Sequence, residues 1–136
     1  MPHLEKAEAK HETSIQKLLD ELELGPKQPP FDDFFVYVDD GDVIGIVELI
    51  DGDDFVFLCR FGIEKDMQGK GFGTAFLKDC IKRCDKDIYL YTVIPGFFER
   101  CGFVKAPFDK RLPPQKMFGC ESCSPNLCRC MVRRNA

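Results

Sequence analysis

The 136-residue chain contains no long apolar run and no excess of positive charge. None of its apolar stretches approaches the roughly 18–20 residues that a membrane-spanning helix needs. The segment Met1–Lys6 lacks the basic and apolar regions of a secretory signal peptide. The formal net charge of −4 disfavours general nucleic-acid binding, which is driven mainly by the neutralisation of phosphates. We therefore expect a cytoplasmic protein that binds neither a membrane nor a nucleic acid.

Length and composition indicate one globular domain. Hydrophobic residues make up 44% of the chain and charged residues 31%, a mixture that can bury a core and argues against disorder. The sequence has no internal repeat and no low-complexity tract. We expect a single domain over residues 1–136, a monomer or a homodimer, with a cysteine-rich extension at about 112–136.

The hydrophobic periodicity changes several times along the chain, which predicts α and β elements that share one mixed sheet. Thr13 and Gln16 form a capping-box pattern at the start of a first helix, and Gly25-Pro26 closes that helix. A helix that crosses over between two later strands predicts a parallel pair. The other predicted elements are strands at 34–38, 43–50 and 55–63, a helix from Phe72 to about Lys86, a strand at 88–93, a short helix at 95–101, a strand at 102–105 and an edge strand at Met131-Val132.

A glycine-rich turn, Gln68–Thr74, lies between the third predicted strand and the helix that follows it. Glycine lets the backbone approach a ligand closely, and the unpaired N–H groups at the start of a helix bind a pyrophosphate. A plain tight turn is the simpler alternative. A Walker A loop is excluded because no Lys-Ser/Thr pair follows the last glycine, and the Gly-x-Gly-x-Gly spacing does not fit a dinucleotide fingerprint.

The turn matches the acetyl-CoA motif Gln/Arg-x-x-Gly-x-Gly/Ala at its defined positions Gln68, Gly71 and Gly73. The preceding segment Ile63–Met67 and the downstream segment Phe97–Phe103 are also similar to the segments that flank this motif in one family. Over about residues 34–105 the chain therefore resembles the GNAT superfamily of N-acetyltransferases. The resemblance implies the GNAT fold, an α/β fold with antiparallel N-terminal strands and a splayed parallel pair around a cleft for CoA.

The same resemblance implies acetyl-CoA as the co-substrate. In the family, the backbone amides of the glycine-rich turn hold the pyrophosphate of CoA, and the strand before the turn pairs with the pantetheine arm. The resemblance assigns cofactor contacts to Ile63, Gln68, Gly69, Lys70, Gly71, Phe72, Gly73, Thr74 and Phe98.

The residues that usually carry out the proton transfers in this family are replaced here. The position of the general base in related histone acetyltransferases falls on Phe57, and the tyrosine that protonates the leaving thiolate is Phe98, which has no proton to donate. Glu48 is the first candidate for the base and Glu99 the second, although a surface role for Glu48 is the alternative. Tyr91 or a water molecule is the candidate acid, and a reaction without a dedicated acid is the alternative.

The segment Pro95–Phe103, followed by Leu112-Pro113 and a Cys-x2-Cys-x4-Cys cluster, resembles the N-acetylglutamate synthase-like branch of the superfamily. Members of this branch acetylate the α-amine of glutamate, so the resemblance implies cations that bind the carboxylates of the acceptor. Arg60, on the strand before the motif, is the first candidate, and a structural salt bridge is its alternative role. The other candidates are Lys27, Arg100 and Arg111.

The eight cysteines fall into two groups. Four are scattered among apolar residues and resemble small core residues: Cys59, Cys80, Cys84 and Cys101. The other four, Cys120, Cys123, Cys128 and Cys130, supply soft ligands that suit a tetrahedral ion such as Zn²⁺. Because the Cys-x-Cys pair is cramped for one ion, His3, His11 or Cys101 could replace one of the four. Disulfides and free thiols are the alternatives.

Taken as a whole, the sequence predicts acetyl transfer from acetyl-CoA to a primary amine of a small molecule or an amino acid, with a glutamate-like acceptor as the specific candidate. The missing acid and base residues favour a second interpretation, a catalytically weak acyl-CoA sensor that acts through its cysteine-rich tail. A third is a zinc-knuckle-like protein that contacts nucleic acid through residues 105–136, which contain seven Lys or Arg and two acidic residues. The net acidity of the chain argues against this third interpretation.

Overall fold

The computed structural model describes residues 2–25, 27–114 and 128–135. Strand β1 precedes a short 3-10 turn at Ala9–His11 and helix α1, and a second 3-10 turn at Lys65–Met67 precedes α2. The helices are α1 (Glu12–Glu21), α2 (Phe72–Arg83) and α3 (Pro95–Glu99). The strands are β1 (His3–Lys6), β2 (Phe34–Asp39), β3 (Asp42–Asp51), β4 (Phe55–Ile63), β5 (Asp87–Thr92), β6 (Val104–Ala106) and β7 (Arg129–Arg133).

The seven strands within the described residues form one sheet in the order β1-β2-β3-β4-β5-β7-β6. The pairing of β4 with β5 is parallel, and every other pairing in this sheet is antiparallel. The parallel pair lies on either side of the crossover helix α2, as the sequence predicts. The mixed α/β architecture expected from the sequence is therefore confirmed.

The structure of the N-terminal part differs from the predicted elements in two respects. Helix α1 begins at Glu12 with His11 as its N-cap residue, so the capping box predicted at Thr13 does not form. Instead, His11 Nδ1 accepts a hydrogen bond from the Glu8 N–H at 3.0 Å. Strand β1 was not predicted because its four residues, three of them polar, show no apolar periodicity.

The strand that contains Met131 lies inside the sheet and not at its edge. Strand β7 pairs with β5 on one side and with β6 on the other. The edge prediction was wrong because the pattern of Met131-Val132 reports burial but carries no information about which strands are its partners. Full burial of the Met131 side chain agrees with the internal position.

The two faces of the sheet are covered by different elements. Helix α2 packs its buried residues Phe76, Leu77 and Cys80 on one face. On the opposite face, α1 covers β2 and β3, while a segment that we call the 107–114 segment covers β4, β5 and β7 by inserting Leu112. None of the helices in the described ranges is both long and apolar enough to cross a membrane. The central strands β4 and β5 are thus held from both faces.

Candidate active site

The parallel strands β4 and β5 pair along only part of their length. Their register runs from Phe55 opposite Asp87 to Phe57 opposite Tyr89, although both strands continue beyond these residues. The unpaired ends enclose a cleft of about 480 Å³, which α3 closes with Phe97 and Phe98. The backbone groups at the ends of these strands therefore face a cavity instead of a neighbouring strand.

A β-bulge in β4 lies at the point where the two strands separate. Ile46 of β3 is opposite Gly62, whereas Glu48 is opposite Cys59, so β4 has one extra residue in this interval. Arg60, inside the bulge, has a φ of +47°, which is the left-handed region that a non-glycine residue rarely adopts. Since a bulge bends its strand and increases the local twist, it accounts for the divergence of β4 from β5.

The glycine-rich turn at the mouth of the cleft presents an open backbone. Gly69 and Gly71 have φ values of +78° and +84°, and Gly71 is the N-cap residue of α2. A Cβ atom added to either glycine would meet no atom within 4 Å. The Gln68 side chain donates a hydrogen bond from Nε2 to the Ile63 carbonyl at 2.9 Å, which ties the turn to the end of β4. The first, unpaired amides of α2 thus begin beside open space, where an anionic group can approach them closely.

A charged cluster, which we call the Glu48 cluster, lies beside the wall of the cleft. Arg60 Nη1 donates a hydrogen bond to Glu48 Oε1 at 2.6 Å, and both side chains are buried. Lys27 Nζ lies 3.8 Å from Glu48 Oε2, and the Cys59 thiol donates to Glu48 Oε1 at 3.4 Å. Burial raises the pKa of Cys59, and the charge of Glu48 raises it further. The bulge explains why the consecutive residues Cys59 and Arg60 both reach one carboxylate.

Tyr91 lines the cleft from β5, but its hydroxyl is directed to the 107–114 segment. The hydroxyl donates to the Pro113 carbonyl at 2.6 Å, and the ring packs edge-on against Phe57 at 4.8 Å between centroids. Burial raises the pKa of Tyr91 to about 12, with smaller contributions from Cys130 and Cys128. In this arrangement Tyr91 anchors a segment of the chain and is a weak acid.

The structure brings some of the predicted site residues together and separates others. Phe98 is buried in the cleft wall with Ile63 and Arg60, and Phe57 is buried next to Tyr91. Lys70 and Thr74 are exposed on the glycine-rich turn, while Phe72 packs partly into the core under α2.

Three of the alternative candidates lie away from the cleft, which corrects the sequence-based expectation. Glu99 and Arg100 are exposed at the end of α3 and are not part of the cleft wall. Arg111 belongs to the 107–114 segment, where it pairs with Asp54 at 2.8 Å and Asp109 at 3.1 Å. Glu48 does not line the cleft directly but lies behind Cys59 and Arg60.

The predicted metal site falls partly outside the described residues, because Cys120 and Cys123 lie at 115–127. Within the described ranges no three His, Cys, Asp or Glu side chains converge to hold an ion. His3 and His11 could not join Cys128 and Cys130, since β1 is separated from β7 by four strands, about 24 Å at the usual spacing. Cys101 packs with the α2 face and Cys130 with the opposite face, which excludes it as well. The four-cysteine site stays a prediction.

The bulge in β4 and the tertiary contacts of the site could not be predicted from the sequence. Arg60 is the one charged residue in the otherwise apolar β4, which marks an unusual position but does not by itself predict a bulge. The contacts of Gln68 with Ile63, and of Tyr91 with Pro113, depend on the tertiary structure and have no local signal.

Comparison with known proteins identifies the family. A family model described as an acetyltransferase (GNAT) domain matches residues 30–105, which include β2 to β5, the glycine-rich turn and α3. The chain belongs to the GNAT acetyltransferases. The GNAT assignment confirms the resemblance inferred from Gln68–Thr74, and the matched domain is an acetyltransferase domain.

Solved structures share the GNAT fold at low sequence identity. N-acetylglutamate synthase from Neisseria gonorrhoeae, complexed with coenzyme A and N-acetyl-glutamate, has a TM-score of 0.76 at 18% identity; the alignment covers 100% of this chain and 35% of that one. Rv2747 from Mycobacterium tuberculosis, in complex with CoA, has a TM-score of 0.74 at 16% identity, with coverage of 97% and 98%. The ribosomal-protein-S18-alanine N-acetyltransferase from Escherichia coli has a TM-score of 0.66 at 15% identity, with coverage of 100% and 95%.

These likenesses establish the GNAT fold but not the acceptor. The chain spans about a third of the length of the N-acetylglutamate synthase chain that it matches. No curated protein sequence matches at a significant level. The class of acceptor therefore depends on the charges and the lining of the cleft itself.

Proposed function

We propose that the protein transfers the acetyl group of acetyl-CoA to the primary amine of a small molecule or amino acid that carries a carboxylate, with a glutamate-like acid as the first candidate. The observation that carries this proposal is the cleft between β4 and β5, which has an anion cradle at its mouth and a buried arginine in its wall.

The glycine-rich turn supports the position of the donor. Gly69 and Gly71 leave room for a pyrophosphate against the first amides of α2, and the helix dipole favours that negative charge. Gln68 holds the turn against Ile63, while Lys70 and Thr74 can add a charge and a hydroxyl at the exposed rim. The unpaired backbone of β4 can hydrogen-bond to the amides of the pantetheine arm, and Phe98 shields the thioester from water.

The Glu48 cluster supports an acceptor that carries a carboxylate. Arg60 reaches the cleft wall, and Lys27 adds a second cation on the far side of Glu48. Two cations around one carboxylate leave a net positive charge that can attract an anionic group.

We assign positioning roles to Glu48 and Tyr91, the two candidate catalytic residues. As a general base Glu48 would have to leave a 2.6 Å ion pair with Arg60, so we assign it to the positioning of Arg60. The Tyr91 hydroxyl donates a hydrogen bond to the Pro113 carbonyl and its pKa is raised, so we assign Tyr91 to anchoring the wall of the cleft.

Incubation with acetyl-CoA and a panel of amines, followed by mass spectrometry of the products, tests the proposal. The panel contains α-amino acids with one and two carboxylates, matched amines without a carboxylate, and a lysine peptide. We expect acetylation of the carboxylate-bearing amines and micromolar to millimolar CoA binding by calorimetry. Preference for amines without a carboxylate would contradict the acceptor assignment. CoA binding without turnover of any amine would favour the sensor interpretation, and failure to bind CoA would refute the donor site.

A further inference from the structure

The charges beside the cleft do not cancel. Lys27 and Arg60 are cations on two sides of the single carboxylate of Glu48, at 3.8 and 2.6 Å. The Glu48 cluster therefore has a net charge of +1. Besides Arg60, the titratable groups that line the cleft in the described part of the chain are the Cys59 thiol of β4 and the Tyr91 hydroxyl of β5. Burial raises the pKa of both, so both are neutral at pH 7.

Among the residues that the structure describes, the cleft wall offers no group suited to take the proton of an entering amine. Among residues 2–25, 27–114 and 128–135, the cleft wall contains no carboxylate and no imidazole. Glu48 lies behind the wall in an ion pair, and the charged residues of α3, Glu99 and Arg100, are exposed outside it. A nearby cation disfavours the ammonium form and so lowers the pKa of a bound amine.

We propose that the cleft accepts amines in their uncharged form, that the Glu48 cluster promotes this form by its positive charge, and that no protein base is used. This inference rests on the proposed acetyl transfer. The amine nitrogen forms a bond to the thioester carbonyl carbon, the C–S bond breaks, and the surplus proton of the amine leaves with the thiolate. The products are an amide and a thiol, and no protein group changes its protonation state. Weakly basic amines are then better acceptors than strongly basic ones.

Two acceptors with the same separation between amine and carboxylate test the preference for weakly basic amines. Glycylglycine and 5-aminopentanoate each have one amine and one carboxylate separated by the same number of bonds, but their amines have pKa values of about 8 and about 10.4. We expect kcat/KM for each to rise with pH and level off near the pKa of its own amine. At pH 7.5, glycylglycine should be favoured roughly 100-fold. Profiles that break at the same pH for both acceptors would reveal a base on the protein and overturn the inference.

Variants of the Glu48 cluster test whether its charge lowers the pKa of the bound amine. Each change of charge predicts the direction in which the pH profile shifts. Lys27→Met removes one positive charge, so the rising limb of the kcat profile with glycylglycine should move to higher pH by about half a unit. Glu48→Gln removes the negative charge and should move it to lower pH. Lys27→Arg keeps the charge and should leave the profile in place. Shifts of the same sign in both charge variants, or no shift, would overturn the role of the cluster, as would loss of activity at every pH in Glu48→Gln.

The outcomes separate this inference from the function on which it rests. Lys27 has a side chain that is 35% exposed, so the Lys27→Met and Lys27→Arg pair decides the question if Glu48→Gln fails to fold. Acetylation of both acceptors with coincident profiles would leave the acetyltransferase function in place and remove only this inference. Absence of transfer to any amine of the panel would remove both.

Discussion

Arg60 joins a backbone distortion to the chemistry of the cleft. Its left-handed conformation costs a non-glycine residue roughly 1–2 kcal/mol. The short ion pair with Glu48 lies at the same bulge and holds the guanidinium in one orientation. The strain is thus stored in the strand that would contact both substrates, where a fixed geometry is worth more than local stability.

Gly71 provides the sharpest test of the anion cradle at the scale of one residue. Gly71→Ala should weaken CoA binding at least tenfold, because the new methyl group occupies space that the pyrophosphate needs, and should cost about 1 kcal/mol through its positive φ. Gly41→Ala is a matched control, since Gly41 has the same φ of +84° and the same open surroundings but lies in the β2–β3 turn. Calorimetry and urea unfolding measure the two effects. Equal CoA affinity in both variants would contradict the cradle.

The residues of the donor site could be predicted because they are contiguous in sequence. Gln68, Gly71 and Gly73 form a local pattern, and the turn has the positive φ angles that glycine permits. The pairing of Glu48 with Arg60 could not be predicted in this way. It joins residues on two strands through a bulge, and the bulge is a property of the register between the strands.

At the scale of elements, the 107–114 segment acts as a cover for one face of the sheet. Leu112 packs in one buried cluster with Phe55 and Tyr89, and the Pro113 carbonyl accepts the hydrogen bond of Tyr91. The same segment carries Arg111, whose ion pairs are largely exposed to solvent. A buried apolar side chain and an exposed charged one therefore occupy adjacent positions on one segment, and their contributions to stability can be compared directly.

Leu112→Ala and Arg111→Ala should have very different effects on stability. Leu112 is buried, so its truncation should cost about 2–4 kcal/mol of unfolding free energy. Exposed ion pairs contribute little, and Arg111→Ala should cost less than about 1 kcal/mol. Urea unfolding followed by circular dichroism compares the two variants. A larger loss in the arginine variant would mean that charge, and not burial, holds the segment.

Local sequence patterns predicted which residues form strands and helices better than they predicted which strands pair with each other. Strands β2 to β5 were predicted because apolar residues recur along them and acidic glycine turns or a helix separate them. The position of β7 was missed because strand pairing depends on residues distant in sequence. Its partner Tyr91 precedes Cys130 by 39 positions in the printed sequence.

At the scale of the whole molecule, several cysteine thiols and tyrosine hydroxyls are buried or half-buried in their neutral forms. Burial raises the pKa of Cys80, Cys84 and Cys59, and raises that of Cys130 to about 11. It also raises the pKa values of Tyr37 and Tyr91 to about 12. The folded state therefore keeps protons that the unfolded chain releases at lower pH.

This common direction predicts a loss of stability in alkaline solution. Since the unfolded chain binds fewer protons once the pH exceeds the ordinary thiol and phenol pKa values, stability is fully present below about pH 8.5 and falls continuously towards pH 12. Urea unfolding under reducing conditions between pH 7 and 10.5 measures the dependence. Cys80→Ala and Tyr91→Phe should each make it shallower. A midpoint that stays constant up to pH 10.5 would contradict the burial of these groups as neutral acids.

The place of β7 between β5 and β6 has a consequence for synthesis on the ribosome. Strands β1 to β4 pair with their sequence neighbours and can assemble as they emerge. The free edge of β5, however, stays uncovered until residues 129–133 have left the exit tunnel, and β6 has no partner in the sheet before then. An exposed strand edge is a template for aggregation. The nascent chain therefore passes through a stage, after the synthesis of β5 and before that of β7, in which the exposed edge of β5 is prone to aggregate. A chaperone at the tunnel exit would protect the chain most at this stage.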